Sequence, residues 1–103
     1  MKVQLVRIAD CPNSSVAFDR LTSALSTLGH EEVPVDDILV ETPDQIPAAG
    51  YSGSPTILVD DRDLFPTDER TDQLSCRLYA TPDGPAGVPT GAQIEDALRS
   101  RLG

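Results

Sequence analysis

Two cysteines, Cys11 and Cys76, and a Ser54-Pro55-Thr56 step are the residues whose types and placing suit chemistry. Cys11 follows a run of apolar residues and precedes Pro12-Asn13-Ser14 and an amphipathic stretch. Proline suits the first turn of a helix, where its missing N–H costs nothing, so Cys11 falls at a strand-to-helix junction. The unpaired N–H groups and partial positive charge of a helix N-terminus stabilise a thiolate. Asp10 acts the other way, because a neighbouring carboxylate disfavours a second anion. The sequence does not sign the sum, and a small inert cysteine filling the strand end is the competing reading. Ser14, three residues on, has a hydroxyl that can hydrogen-bond a Cys11 thiolate. Pro55 enters a later apolar strand just after Gly53, where the topology sets it beside the end of the first strand. X-Pro bonds are cis in only about 5–6% of cases in folded proteins. A cis bond here would turn the Ser54 backbone toward the thiol, leaving its N–H and C=O free to pair with a substrate chain.

Hydrophobic periodicity supplies the elements that position these residues. Val3, Leu5, Val6 and Ile8 make a first strand over residues 3–9, fit to be central and buried on both faces. Ala17, Phe18, Leu21, Ala24, Leu25 and Leu28 recur at helical spacing, and Gly29 follows as a terminator. Val33, Val35, Ile38, Leu39 and Val40 give a second strand whose alternation breaks at Asp36-Asp37, which suits a bulged or irregular edge. Thr42-Pro43-Asp44-Gln45 starts a second helix with a capping box, kept short by Pro47 and Gly50. Thr56–Val59 is the third strand. Residues 60–74 form a long acidic connection that Leu64-Phe65 should pin to the domain. Residues 75–80 read as a fourth strand, followed by turn residues over 82–87. Thr90, with Gln93 as capping partner, opens a last helix through Ile94, Ala97, Leu98 and Leu102. The order β-α-β-α-β-β-α predicts a four-stranded mixed sheet with helices on both faces. Its two β-α-β connections favour parallel pairing, and the later β-β step favours antiparallel.

At 103 residues the chain makes one domain. With 17 acidic against 8 basic residues its net charge is −9, which disfavours nucleic acid and anionic membranes as partners. No apolar run reaches the length of about 18 residues that a transmembrane helix needs. Residues 1–9 read as a strand and lack the apolar region and cleavage site of a signal peptide. The expectation is a cytoplasmic protein with both thiols free. One histidine, His30, and no C-x2-C pair make a zinc site improbable, so no metal is expected. The acidic run Asp60, Asp61, Asp63, Asp68, Glu69, Asp72 fails as a calcium loop, since Phe65 and Pro66 fall where an oxygen ligand and a glycine belong.

Cys11-Pro12-Asn13-Ser14 resembles a C-x-x-S version of the thioredoxin C-x-x-C motif, and Ser54-Pro55-Thr56 resembles that family's cis-proline motif. The run from Cys11 through residues 53–66 to 74–84 is similar to small bacterial thioredoxin-like proteins often labelled alkylmercury lyase-like. The resemblance implies a thioredoxin-like fold with no organic cofactor. Cys11 and Ser14 would be catalytic, and Pro12, Ser54, Pro55 and Thr56 would shape the substrate groove. The implied partner is a protein or a low-molecular-weight thiol or disulfide. Departures from the family pattern are specific. Ser14 replaces the resolving cysteine, Ala9-Asp10 precedes Cys11 where a tryptophan belongs, and Leu5 and Val6 leave no buried acid. A monothiol site forms mixed disulfides but needs an external thiol to resolve them. The same departures suit a redox-inactive module that keeps the groove for binding a peptide or protein. Cys76 is the candidate second thiol, expected near the far edge of the sheet and beyond the Cα separation of about 7 Å that a disulfide to Cys11 tolerates. Organomercurial lyases use two cysteines and an aspartate, which makes mercury chemistry with Cys11, Cys76 and Asp10 a third reading.

Overall fold

The computed structural model describes residues 1–46, 51–67 and 76–102. Strand β1, Val3–Ile8, pairs in parallel with β2, Val35–Val40, in continuous register from Val3↔Val35 to Ile8↔Val40. The break in hydrophobic alternation at Asp36-Asp37 therefore makes no bulge. On its other side β1 pairs antiparallel with β3, Thr56–Val59. A two-residue strand β4, Arg62–Asp63, closes the sheet in the order β2-β1-β3-β4. A mixed four-stranded sheet with β1 inside it was the expectation, and so it stands.

Three details differ from the sequence reading. First, β3 runs antiparallel to β1, and the described part of the stretch after β2 holds a 3-10 turn, Pro43–Gln45. Gln45 Oε1 still accepts from the Glu41 and Thr42 N–H groups at 2.6 and 3.2 Å. Ile46 is already extended, which ends this turn. Pro47 and Gly50, expected to stop this helix, lie outside the described residues. Second, the fourth strand of the sheet is Arg62–Asp63 and not residues 75–80. Asp60 and Asp61 both take left-handed conformations, φ +52° and +67°. Two consecutive left-handed residues make the tight turn whose twist matches a hairpin, so β3 folds straight back on itself. Of residues 75–80, Ser75 lies outside the described residues. Tyr79–Thr81 forms β5, which pairs with β6, Gly84–Ala86, in a separate hairpin.

Third, the two long helices share one face of the sheet instead of covering both. Helix α1, Asn13–Thr27, and helix α2, Gly91–Leu102, pack into one cluster. There Leu21, Leu25, Ile94 and Leu98 meet Val3, Leu5, Ile57 and Val59. On the other face Val6 of β1, Leu58 of β3 and Val40 of β2 are covered by Tyr51 and Ile46. Gly29 at φ +81° ends α1. The α2 cap is reciprocal as read: Thr90 N–H donates to Gln93 Oε1 at 2.9 Å, and Gln93 N–H to Thr90 Oγ1 at 3.1 Å. Leu64 is buried in the larger cluster with Phe65 packed against it, so that pair does pin the chain after β4.

Candidate functional site

Cys11 lies in the short link between β1 and α1, half-buried, between a left-handed Asp10 at φ +58° and an exposed Pro12. The link brings the sulfur against the entry to β3, because β1 and β3 are neighbours and Pro55 directly precedes β3. The Ser54-Pro55 bond is cis. Ser54 is fully buried and its Oγ accepts from the Ile8 N–H at 3.0 Å. That fixes the oxygen on the last residue of β1 and leaves the hydroxyl proton for the thiol.

Burial pushes the Cys11 pKa up, but donors outweigh it and the net direction is down. In order of weight they are the Ser54 hydroxyl, the Ser14 hydroxyl, the Asn13 N–H and the Cys76 thiol. No side chain caps α1; the Asn13 N–H acts on the sulfur, while the Ser14 N–H donates to the Cys11 C=O at 3.2 Å. The Ser14 and Tyr51 hydroxyls are deeply buried, with 6% and 3% of their residues exposed, and among the described residues neither makes a fully formed hydrogen bond. Ser14 Oγ therefore acts on the thiolate by proximity, more weakly than the anchored Ser54. The Tyr51 phenol is raised in pKa by burial first, then by negative charge on Cys11 and on Cys76.

Cys76 is not at the far edge of the sheet. It pairs with Ser54 in an isolated parallel bridge, and the Arg77 N–H donates to the Ser54 C=O at 2.9 Å. The reason is Arg77, only 6% exposed. Its Nη1 donates to Asp63 Oδ2 at 2.8 Å and to Thr56 Oγ1 at 3.3 Å, and its Nη2 to the Phe65 C=O at 2.5 Å. The guanidinium lies 4.3 Å over the Tyr79 ring. These contacts draw residues 76–79 alongside the start of β3 instead of the outer edge. Gly53 makes the close approach possible: at φ +112°, a Cβ there would sit 2.9 Å from the Arg77 Cβ.

The bridge also closes an edge that the sequence reading left open. The Ser54 C=O is taken by Arg77, so it is not free for a substrate chain. Pro55 is buried and its C=O accepts from the Tyr79 hydroxyl. Thr56 is fully buried, donating to the Gly53 C=O and accepting from the Ser52 N–H at 3.3 Å. Of the proposed groove residues, Ser54 reaches the thiol through its hydroxyl, while Pro55 and Thr56 form the wall behind it. The open space beside Cys11 lies on the α1 side, a groove of about 380 Å³ lined by Arg7, Ser14, Phe18, Asp19 and Asp37. Arg7 and Asp37 form a two-point ion pair across it, at 2.7 and 3.1 Å.

Tyr51 and Arg77 are the two site residues that pattern reading missed. Tyr51 opens the stretch before Pro55 with no periodicity of its own. Arg77 sits in a run where a charged residue reads as solvent-facing. Of the acidic run, Asp60 accepts from the Lys2 N–H at 2.9 Å, Asp61 pairs with the Lys2 ammonium, and Asp63 holds Arg77. Asp68, Glu69 and Asp72 lie outside the described residues. Among the described residues, no three or more His, Cys, Asp or Glu gather as metal ligands, and no helix is long and apolar enough to cross a membrane. Comparison with protein-family models, with curated proteins and with solved structures finds no match to this chain.

Proposed function

We propose that the chain is a thioredoxin-like thiol protein in which Cys11 exchanges with disulfides of proteins or low-molecular-weight thiols, in the cytoplasm. The observation that carries the reading is the shell of donors around the Cys11 sulfur, led by the anchored Ser54 hydroxyl, which lowers its pKa. The cysteine between β1 and α1, the cis Ser54-Pro55 bond and the mixed sheet order support the thioredoxin-like part. In the reaction the Cys11 thiolate attacks one sulfur of the disulfide, forming a mixed disulfide and expelling the other sulfur as a thiolate. The groove between α1 and β2 is where the leaving half would lie. A binding module that uses the Ser54 edge to add a peptide strand is less well supported, because Arg77 already occupies that C=O.

The proximity of Cys11 and Cys76 favours a second reading: two soft sulfur ligands capturing mercury or an organomercurial. That reading expects one Hg(II) per chain, lost in either Cys→Ser variant. The thiol-exchange reading is tested by the pH dependence of iodoacetamide labelling, resolved for each cysteine by peptide mass spectrometry. Cys11 should react half-maximally below the pKa of about 8.5 typical of a free cysteine. Labelling of Cys11 only after unfolding would remove the reading.

A further inference from the structure

Ser14 has no sulfur to offer where a C-x-x-C site carries its second thiol, so a mixed disulfide on Cys11 needs another way out. We infer that Cys76, reached through the Ser54 bridge and not through the helix, is the resolving thiol of this site. The inference rests on the thiol-exchange reading of Cys11.

Three observations carry it. The bridge to Ser54 sets Cys76 beside the residue whose Oγ is held on Ile8 at the end of β1, where the Cys11 link begins, and Cys76 is among the groups that lower the Cys11 pKa. The backbone beneath Cys76 is held on both sides, by the pairing with Ser54 and by the buried guanidinium of the next residue. Cys76 itself is exposed while Cys11 is half-buried, so the two sulfurs differ in who can reach them. Two further hydroxyls, Ser14 and Tyr51, are buried and without formed hydrogen bonds among the described residues. Unpaired buried hydroxyls cost free energy, and here Ser14 acts on Cys11 while Tyr51 feels the charge of both sulfurs, a charge that changes during exchange.

The chemistry closes in two steps. Cys11 attacks a disulfide RS–SR′, giving Cys11–S–SR and R′S⁻. Cys76 then attacks the Cys11 sulfur, forming the Cys11–Cys76 disulfide, breaking the bond to SR and passing its proton to the departing RS⁻. The substrate disulfide is reduced and the two protein thiols are oxidised, two electrons in all. A low-molecular-weight thiol R″SH attacks the exposed Cys76 sulfur, giving Cys76–S–SR″, and a second equivalent then releases Cys76 as the thiol and departs as R″S–SR″, which returns the protein to its dithiol form. That route expels Cys11 as the leaving thiolate, into the Ser54, Ser14 and Asn13 donors, and a stabilised thiolate leaves faster.

The test uses the full reduced chain with one equivalent of bis(2-hydroxyethyl) disulfide, quenched with acid over time and mapped without reduction. Wild type is compared with Cys76→Ser and Cys76→Ala. An intramolecular thiol acts at an effective concentration of about 1 mM or more, so the Cys11 adduct should vanish at least about tenfold faster in wild type than in either variant. The Cys11–Cys76 peptide should appear as it does. Equal adduct lifetimes in all three proteins, or first capture at Cys76, would overturn the resolving role while leaving Cys11 exchange intact. If Cys11 takes no adduct even in the variants, the exchange reading itself fails and the resolving role falls with it.

Discussion

Two buried polar clusters flank the entry to β3, and they are built on opposite terms. In the first, the Arg77 guanidinium meets Asp63, Thr56 and the Phe65 C=O, and lies over Tyr79. In the second, around Cys11, a half-buried thiol is ringed by donors, and the hydroxyls of Ser14 and Tyr51 make no formed hydrogen bond among the described residues. Buried polar groups in folded proteins are nearly always paired. A cluster that is fully paired fastens chain to chain. A cluster that keeps spare donors around a nucleophile is arranged for a charge that comes and goes. Neighbouring residues serve both: Arg77 goes inward to the first cluster, and Cys76 turns to the second.

The largest effect expected from this contrast comes from Arg77→Ala. Asp63 would be left buried without its cation, a loss of about 3–5 kcal/mol, read by urea unfolding. The pair is almost wholly buried, with side-chain exposures of 6% and 7%, so solvent does not soften the change. The double variant Asp63→Asn, Arg77→Met should recover part of the stability, since no uncompensated charge remains. It should not restore rapid Cys11–Cys76 coupling, because the hydrogen bonds that draw residues 76–79 inward are gone. A loss below about 1 kcal/mol for Arg77→Ala, the range of an exposed pair, would show that the cluster does not fasten this segment.

Legibility followed the same division. The periodic elements β1, α1, β3 and α2 were plain in the sequence, as were Cys11, Ser54 and Pro55, because each rests on local pattern or turn chemistry. What failed was residues 75–80. There apolar Leu78 is 75% exposed while charged Arg77 is 6% exposed, the reverse of what hydrophobicity suggests. Arg77 is buried by partners at Asp63 and Phe65, more than ten residues back, and no local pattern encodes a partner at that distance. The Asp60-Asp61 turn was readable in principle, since aspartate tolerates left-handed backbone. Treating the acidic run as one connection hid the strand reversal, and with it the place of Cys76.

A middle-sized effect belongs to Ser54→Ala. It removes the strongest of the hydrogen bonds that favour the thiolate, so the Cys11 pKa must rise. The thiolate is the species that alkylates, and a higher pKa means less of it at neutral pH. Because Cys11 is partly open to solvent, the hydrogen bond is discounted to roughly 0.5–1 kcal/mol, about two- to fivefold in iodoacetamide rate at pH 7. The pH profile should shift to higher pH, with the plateau rate above both pKa values largely kept. Ser14→Ala should move it the same way by less, since its hydroxyl lacks an anchor. An unmoved profile in Ser54→Ala would mean that the Ser54 hydroxyl does not set the thiol, which would leave it to the Ser14, Asn13 and Cys76 donors.

The smallest effect is the sharpest, because two tyrosines at similar depth serve as each other's control. Tyr51 and Tyr79 are 3% and 5% exposed. The Tyr79 hydroxyl donates to the Pro55 C=O, whereas the Tyr51 hydroxyl makes no formed hydrogen bond among the described residues. Removing a paired buried hydroxyl while its acceptor stays costs about 1 kcal/mol, whereas removing an unpaired one is nearly neutral or slightly stabilising. Tyr79→Phe should therefore lower the urea midpoint, and Tyr51→Phe should leave it in place or raise it. Equal losses in the two variants would mean that Tyr51 is paired in the folded protein, and the contrast between a fastening and a reacting cluster would lose one of its two spare donors. If Tyr51→Phe keeps full stability but slows reduction of the Cys11–Cys76 disulfide by a small thiol, the hydroxyl is retained for the sulfurs and not for the fold.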